Sequence, residues 1–115
     1  MNNQQEWPSD LQALMNRRRD MRIPGPFDGW RIGMIDTPLR IFDLSRGGCF
    51  VDAMHEQPVG TRITIKVALP RVGTLILKGE TLYERKGFGF AVRFVDVDAE
   101  TAALLGDVLD SLQGD

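Results

Sequence analysis

The chain has 115 residues, a formal net charge of −2 and 43% hydrophobic residues, which suits one domain around one modest core. A pI near 5.4 argues against a uniformly basic face for nucleic acid. The single cysteine, Cys49, excludes an internal disulfide, and no apolar run reaches the roughly 18 residues of a membrane span. The polar start, Met1-Asn2-Asn3-Gln4-Gln5-Glu6, lacks the apolar centre of a secretion signal, so the expectation is a soluble, cytoplasmic protein.

Residues 1–16 read as an N-terminal tail. Within it Ser9-Asp10-Leu11-Gln12 has the Ser-x-x-Gln form of a capping box, and Leu11, Leu14 and Met15 follow at helical spacing. A short helix over residues 9–16 is one reading and a frayed tail the other, because two turns need outside packing to persist. Next comes Arg17-Arg18-Arg19-Asp20-Met21-Arg22, with four guanidiniums in six residues. Ile23-Pro24-Gly25-Pro26 then forbids a continuing helix, so the arginine arm reads as a loop.

The middle of the chain alternates with the two-residue period of strands. Six strands are expected, over residues 27–33, 37–44, 49–53, 61–69, 74–84 and 88–94. In the second, Leu39, Ile41 and Asp43 share one face while Phe42 and Leu44 share the other. In the fourth, Ile63, Ile65, Val67 and Leu69 point inward. In the fifth the alternation slips near Gly79, as a bulge would make it. In the last, Phe88, Phe90, Val92 and Phe94 point inward, and Arg93 points outward. The period then changes. Asp98 can cap a helix over residues 98–112 whose apolar stripe is Leu104, Leu105, Val108, Leu109 and Leu112. The fold class that follows is mainly β, a six-stranded antiparallel barrel over residues 27–94 with a C-terminal α-helix and a possible short N-terminal one.

Little in the chain suits catalysis. The one histidine, His55, sits in a polar loop, and one His with one Cys cannot assemble a metal site. Asp43 and Ser45 have no histidine to complete a hydrolytic triad. Gly87-Phe88-Gly89 precedes a strand rather than a helix, which removes a nucleotide-binding glycine loop. Two polar stretches are left. Arginine offers a flat fork of donors for phosphate oxygens or the O6 and N7 edge of guanine; a run of it is otherwise a solvated surface. In Asp43-Leu44-Ser45-Arg46-Gly47-Gly48, positions 43 and 45 can point the same way at a strand end. A carboxylate and a hydroxyl there can accept from guanine's N1 and N2, and Gly48 admits a close backbone approach. The same residues also suit a side-chain-stabilised turn with no ligand.

Together the two stretches resemble the PilZ domain family. That family carries Arg-x-x-x-Arg in an N-terminal loop, matched by Arg18-Arg19-Asp20-Met21-Arg22. It carries Asp/Asn-x-Ser-x-x-Gly about twenty residues later, matched by Asp43-Leu44-Ser45-Arg46-Gly47-Gly48. Gly87-Phe88-Gly89-Phe90-Ala91-Val92-Arg93-Phe94 is similar to the family's closing glycine-rich strand. The resemblance places the domain at residues 17–115 and implies a six-stranded barrel that binds cyclic di-GMP, with neither catalysis nor a cofactor. It implies that Arg18 and Arg22 take phosphates and guanine edges, that Asp43 and Ser45 hold a guanine, and that Gly48 shapes the turn. Arg17 would favour a stacked pair of ligand molecules, and Arg93 would border the site. An arm ordered by ligand would signal to an effector protein. A degenerate member that binds a protein and no nucleotide is the alternative. A nucleic-acid-binding barrel is disfavoured, since it needs exposed aromatics and Phe88, Phe90 and Phe94 read as inward.

Overall fold

The computed structural model describes residues 21–52 and 57–113. The alternating stretches become six antiparallel strands: β1 (Ile23–Arg31), β2 (Thr37–Leu44), β3 (Gly48–Asp52), β4 (Arg62–Leu69), β5 (Gly73–Arg85) and β6 (Gly89–Phe94). Helix α1 (Ala99–Gln113) follows. The strands close into a barrel in the order β1-β2-β3-β6-β5-β4, so no whole strand is left as an open sheet edge. The expected class, a mainly β six-stranded barrel with a C-terminal helix, is the one observed. The expected helix over residues 9–16 lies outside the described residues.

Strict alternation fills the interior. Ile63, Ile65, Val67 and Leu69 of β4 are buried, as are Leu39, Ile41, Val51, Leu77, Phe90 and Val92 from the strands around them. Leu105, Val108 and Leu109 of α1 join the same core. Asp98 starts the helix by accepting the Thr101 backbone N–H at 2.7 Å, satisfying one of the donors a first turn leaves free. The buried ridge is narrower than the spacing suggests, because Leu104 and Leu112 remain partly exposed. Among the described residues, no helix is long and apolar enough to cross a membrane.

The departures from simple alternation decide what faces outward. β1 begins at Ile23 and takes in Pro24 and Pro26, which the sequence places in a loop. It pairs with β4 only over Gly29, Trp30 and Arg31. The proline stretch therefore has one strand neighbour, β2, and its register slips between Pro24 and Phe27; such single-sided, irregular pairing is where a strand tolerates proline.

In β2, Ile41 pairs with Val51 and Asp43 with Phe50, so Phe42 is an extra residue. This bulge parts two residues expected on one face: Leu44 turns inward and is fully buried, while Phe42 stays opposite Ile41 and is 43% exposed. A second bulge lies in β5, where Thr81 pairs with Val92 and Tyr83 with Ala91. The extra residue is Leu82 rather than one near Gly79. Gly79 holds its register with Ile63; a Cβ there would strike the Val92 side chain, which accounts for the glycine. β6 starts at Gly89, so Phe88 falls in the preceding turn and is 61% exposed instead of inward.

Candidate functional site

The Phe42 bulge sets the first element of the site. A bulge re-aims side chains next to it, and Asp43 emerges on the outer surface although its neighbour Leu44 points into the core. Pairing of Pro24 with Asp43 brings the residue just before β1 alongside. Arg22 Nη1 donates to Asp43 Oδ1 at 2.5 Å, with the two side chains 47% and 31% exposed. Two residues far apart in sequence, chosen for their chemistry, thus meet on the barrel wall.

Ser45 plays a different part from Asp43. Its hydroxyl is buried in the β2–β3 turn, where it accepts the Gly47 and Gly48 N–H groups at 3.3 and 3.1 Å and donates to the Gly48 carbonyl at 3.1 Å. That uses the one donor and both acceptor positions of a hydroxyl. Gly48 pairs with Arg93, and a Cβ on it would run into the Val92 carbonyl. Close strand packing requires glycine at this position. Arg93 lies on the outer face, where it donates to Glu80 Oε1 at 2.7 Å. Between Ser45 and Gly47, Arg46 leaves the turn to reach Asp110 of α1, its Nη2 donating to both carboxylate oxygens at 2.8 and 2.9 Å. Arg17 and Arg18 lie outside the described residues.

Beneath the pair, Cys49 lies opposite Leu44 and is fully buried. Burial pushes its thiol up to about 12; the Asp43 charge adds to the rise and Arg22 opposes it. A neutral, enclosed thiol has no nucleophilic role. Among the described residues, no group of His, Cys, Asp or Glu is placed to hold a metal.

Arg22 and Asp43 open onto a groove of about 310 Å³ along the outer wall. Phe42, Phe50, Tyr83 and Phe88 line it, Arg85 borders it and Ala91 lies within it. Sequence reading missed these residues. Phe42 and Phe50 could have been found as aromatics at outward strand positions. Tyr83 could not, because the Leu82 bulge that turns it outward leaves no mark in the alternation. A guanidinium, a carboxylate and exposed ring faces suit a flat, anionic ligand with hydrogen-bond donors.

The PilZ domain model matches residues 16–111. The fold is similar to that of YcgR from Escherichia coli in complex with c-di-GMP, at 24% identity and a TM-score of 0.69, covering 85% of this chain and 46% of that one. It is similar to the PilZ domain of YcgR from Escherichia coli with c-di-GMP, at 21% identity and a TM-score of 0.65, covering 85% and 92%. It is also similar to the Bacillus subtilis inhibitor of motility MotI/DgrA, at 15% identity and a TM-score of 0.61, covering 81% and 49%. The chain therefore spans about half the length of the longer YcgR chain (46%) and of MotI (49%). No curated protein matches it.

Proposed function

The chain belongs to the PilZ domain family, and on that premise we propose that it is a receptor for cyclic di-GMP that passes binding on to a partner protein. The observation that carries this reading is the meeting of Arg22 and Asp43 at 2.5 Å on the barrel wall. It brings the last arginine of the run beside the residue that opens the Asp-x-Ser-x-x-Gly stretch. Similar folds named as c-di-GMP complexes support it.

In this reading Arg18 and Arg22 take phosphate oxygens and guanine edges in two-point contacts. Asp43, released from Arg22, accepts from guanine N1 and N2. Ser45 and Gly48 serve the guanine site by holding the turn that carries Asp43. Arg17 favours a stacked ligand pair, and Arg93 exchanges Glu80 for the rim of the ligand. The arm's charges repel one another until the phosphates neutralise them. Ordering it costs about 1–2 kcal/mol per residue, which several charge-assisted bonds offset. The arm runs back to Trp7, Leu11 and Leu14, so a partner reads the bound state there. The protein is a ligand reader rather than an enzyme.

Calorimetric titration with cyclic di-GMP, with stoichiometry recorded, is the test. Binding is expected at micromolar or tighter affinity, about −8 kcal/mol or better. Arg22→Ala and Asp43→Ala are each expected to weaken it about tenfold or more. Titrations that leave both variants equal to the wild type would refute the site.

A further inference from the structure

The hairpin of β1 and β2 carries a second surface, at the end of β1 remote from Arg22. Its loop sets Met34 and Ile35 side by side, the first fully exposed and the second 82% exposed. Single exposed apolar side chains are ordinary; two large ones together on a hairpin tip call for a partner. The tip is held to the barrel at its base, where the Ile32 N–H donates to the Thr64 carbonyl at 2.8 Å. Within the loop the Thr37 hydroxyl reaches the Ile35 carbonyl at 3.4 Å, and the Gly33 N–H reaches Asp36 Oδ1 at 3.5 Å.

The same hairpin also carries a recess. Trp30 and Pro38 pair across β1 and β2 and line a hollow of about 270 Å³ with Asp28, Arg40 and Asp52. That volume falls just below the roughly 300–1,000 Å³ of small-molecule sites, which suits inserted side chains better than a whole ligand. Lys66 Nζ of β4 lies 5.4 Å from the centre of the Trp30 ring and braces it, and tryptophan is a favoured anchor at interface centres. Asp28, Arg40 and Asp52 stand in one line across β1, β2 and β3. One guanidinium between two carboxylates leaves the rim net negative. Arg40 Nε is 4.0 Å from Asp28 Oδ1, whereas among the described residues neither Asp52 nor Arg31 forms an ion pair. Arg31 ends β1, at the base of the tip. The hairpin therefore holds an apolar knob with a cation at its base, and a hollow with an aromatic wall and an acidic rim. An anionic membrane would meet these carboxylates, and Asp36 in the loop, with the wrong sign.

We infer that two copies of this chain pair through the hairpin, Met34 and Ile35 of each entering the Trp30–Pro38 recess of the other, with Arg31 facing the other copy's Asp52. A two-fold axis requires one patch to carry both halves of the contact, and this hairpin does. It offers fewer residues than the roughly 20–30 a side of a standard interface, so the pair exchanges with the monomer. The inference does not rest on the receptor reading.

Sedimentation velocity of the full chain over a concentration series tests it. The mass is expected to rise with concentration from 12.9 kDa toward twice that value. A knob variant, Met34→Asp with Ile35→Asp, and a recess variant, Pro38→Arg, change exposed positions and are expected to melt like the wild type. Each is expected to weaken association about tenfold or more. Mixed together they regain one of the two contacts, since the first keeps its recess and the second its knob. The mixture is therefore expected to associate more tightly than either variant alone. A wild type that stays monomeric throughout overturns the inference, and its capture by phosphatidylglycerol vesicles in a parallel spin would reassign the tip to a membrane. Variants that pair as well as the wild type, or a mixture no better than its components, overturn it equally.

Discussion

Arg46 in the β2–β3 turn holds Asp110 near the end of α1, one guanidinium nitrogen bridging both carboxylate oxygens. The contact passes over Gly106, where a Cβ would collide with the guanidinium. The turn that positions Asp43 is thereby tied to the helix that seals the barrel core.

The two partners are 39% and 52% exposed, so their coupling is expected to stay at or below about 1 kcal/mol. A double-mutant cycle of Arg46→Ala and Asp110→Ala, followed by urea unfolding, measures it. The coupling should shrink as salt is raised. Gly106→Ala should lose it without touching either charge.

Asp43→Asn separates the fold from the site. The Arg22 pair is partly exposed, so unfolding free energy should change by no more than about 1 kcal/mol. Affinity for cyclic di-GMP should fall far more, since an amide no longer offers two acceptors to guanine's paired donors. Equal losses in melting and in binding would mean that Asp43 is only a structural residue.

Gly48→Ala behaves in the opposite way. The added methyl meets the Val92 carbonyl of the next strand, so overpacking should cost about 1–3 kcal/mol. Any loss of ligand should follow the loss of stability in thermal unfolding. A variant that melts like the wild type would contradict the packing account of this glycine.

Two groups each add a pH-dependent part to the stability. Cys49 is pushed up to about 12 by burial first and by Asp43 second, against about 8.5 for an unfolded thiol. Its contribution is complete below the unfolded value and is lost as pH rises from there through the folded one. Cys49→Ala should remove that part of the alkaline decline. Asp98 is held below the ordinary carboxylate value, chiefly by the Thr101 backbone N–H and then by the Thr101 hydroxyl. Its contribution is present above about 3.9 and fades as pH falls through the lowered folded value. Urea midpoints across pH for Asp98→Ala should show a shallower acid decline than the wild type.

The barrel was legible wherever two-residue rhythm ran unbroken, as from Ile63 to Leu69, and the helix wherever apolar spacing changed to that of Leu105, Val108 and Leu109. Asp43 and Arg22 were legible through their chemistry. Leu44 was misread and Tyr83 missed because a single extra residue changes which face follows, and nothing in a side chain announces it. Phe88 was misread because its apolar character continued a pattern that its turn had already ended. Pro24 and Pro26 were put in a loop because one-sided pairing of β1 is a property of the assembled barrel, not of the segment.

The Arg22–Asp43 pair has a consequence for selectivity on the proposed reading. In the empty protein each charge already satisfies the other. A visitor bearing only phosphate would orphan the carboxylate, and one bearing only a guanine face would orphan the guanidinium. Both side chains are part-solvated, so the orphaned charge costs at most about 1 kcal/mol, and the pair tilts selection toward a molecule that brings both halves at once without barring inorganic anions.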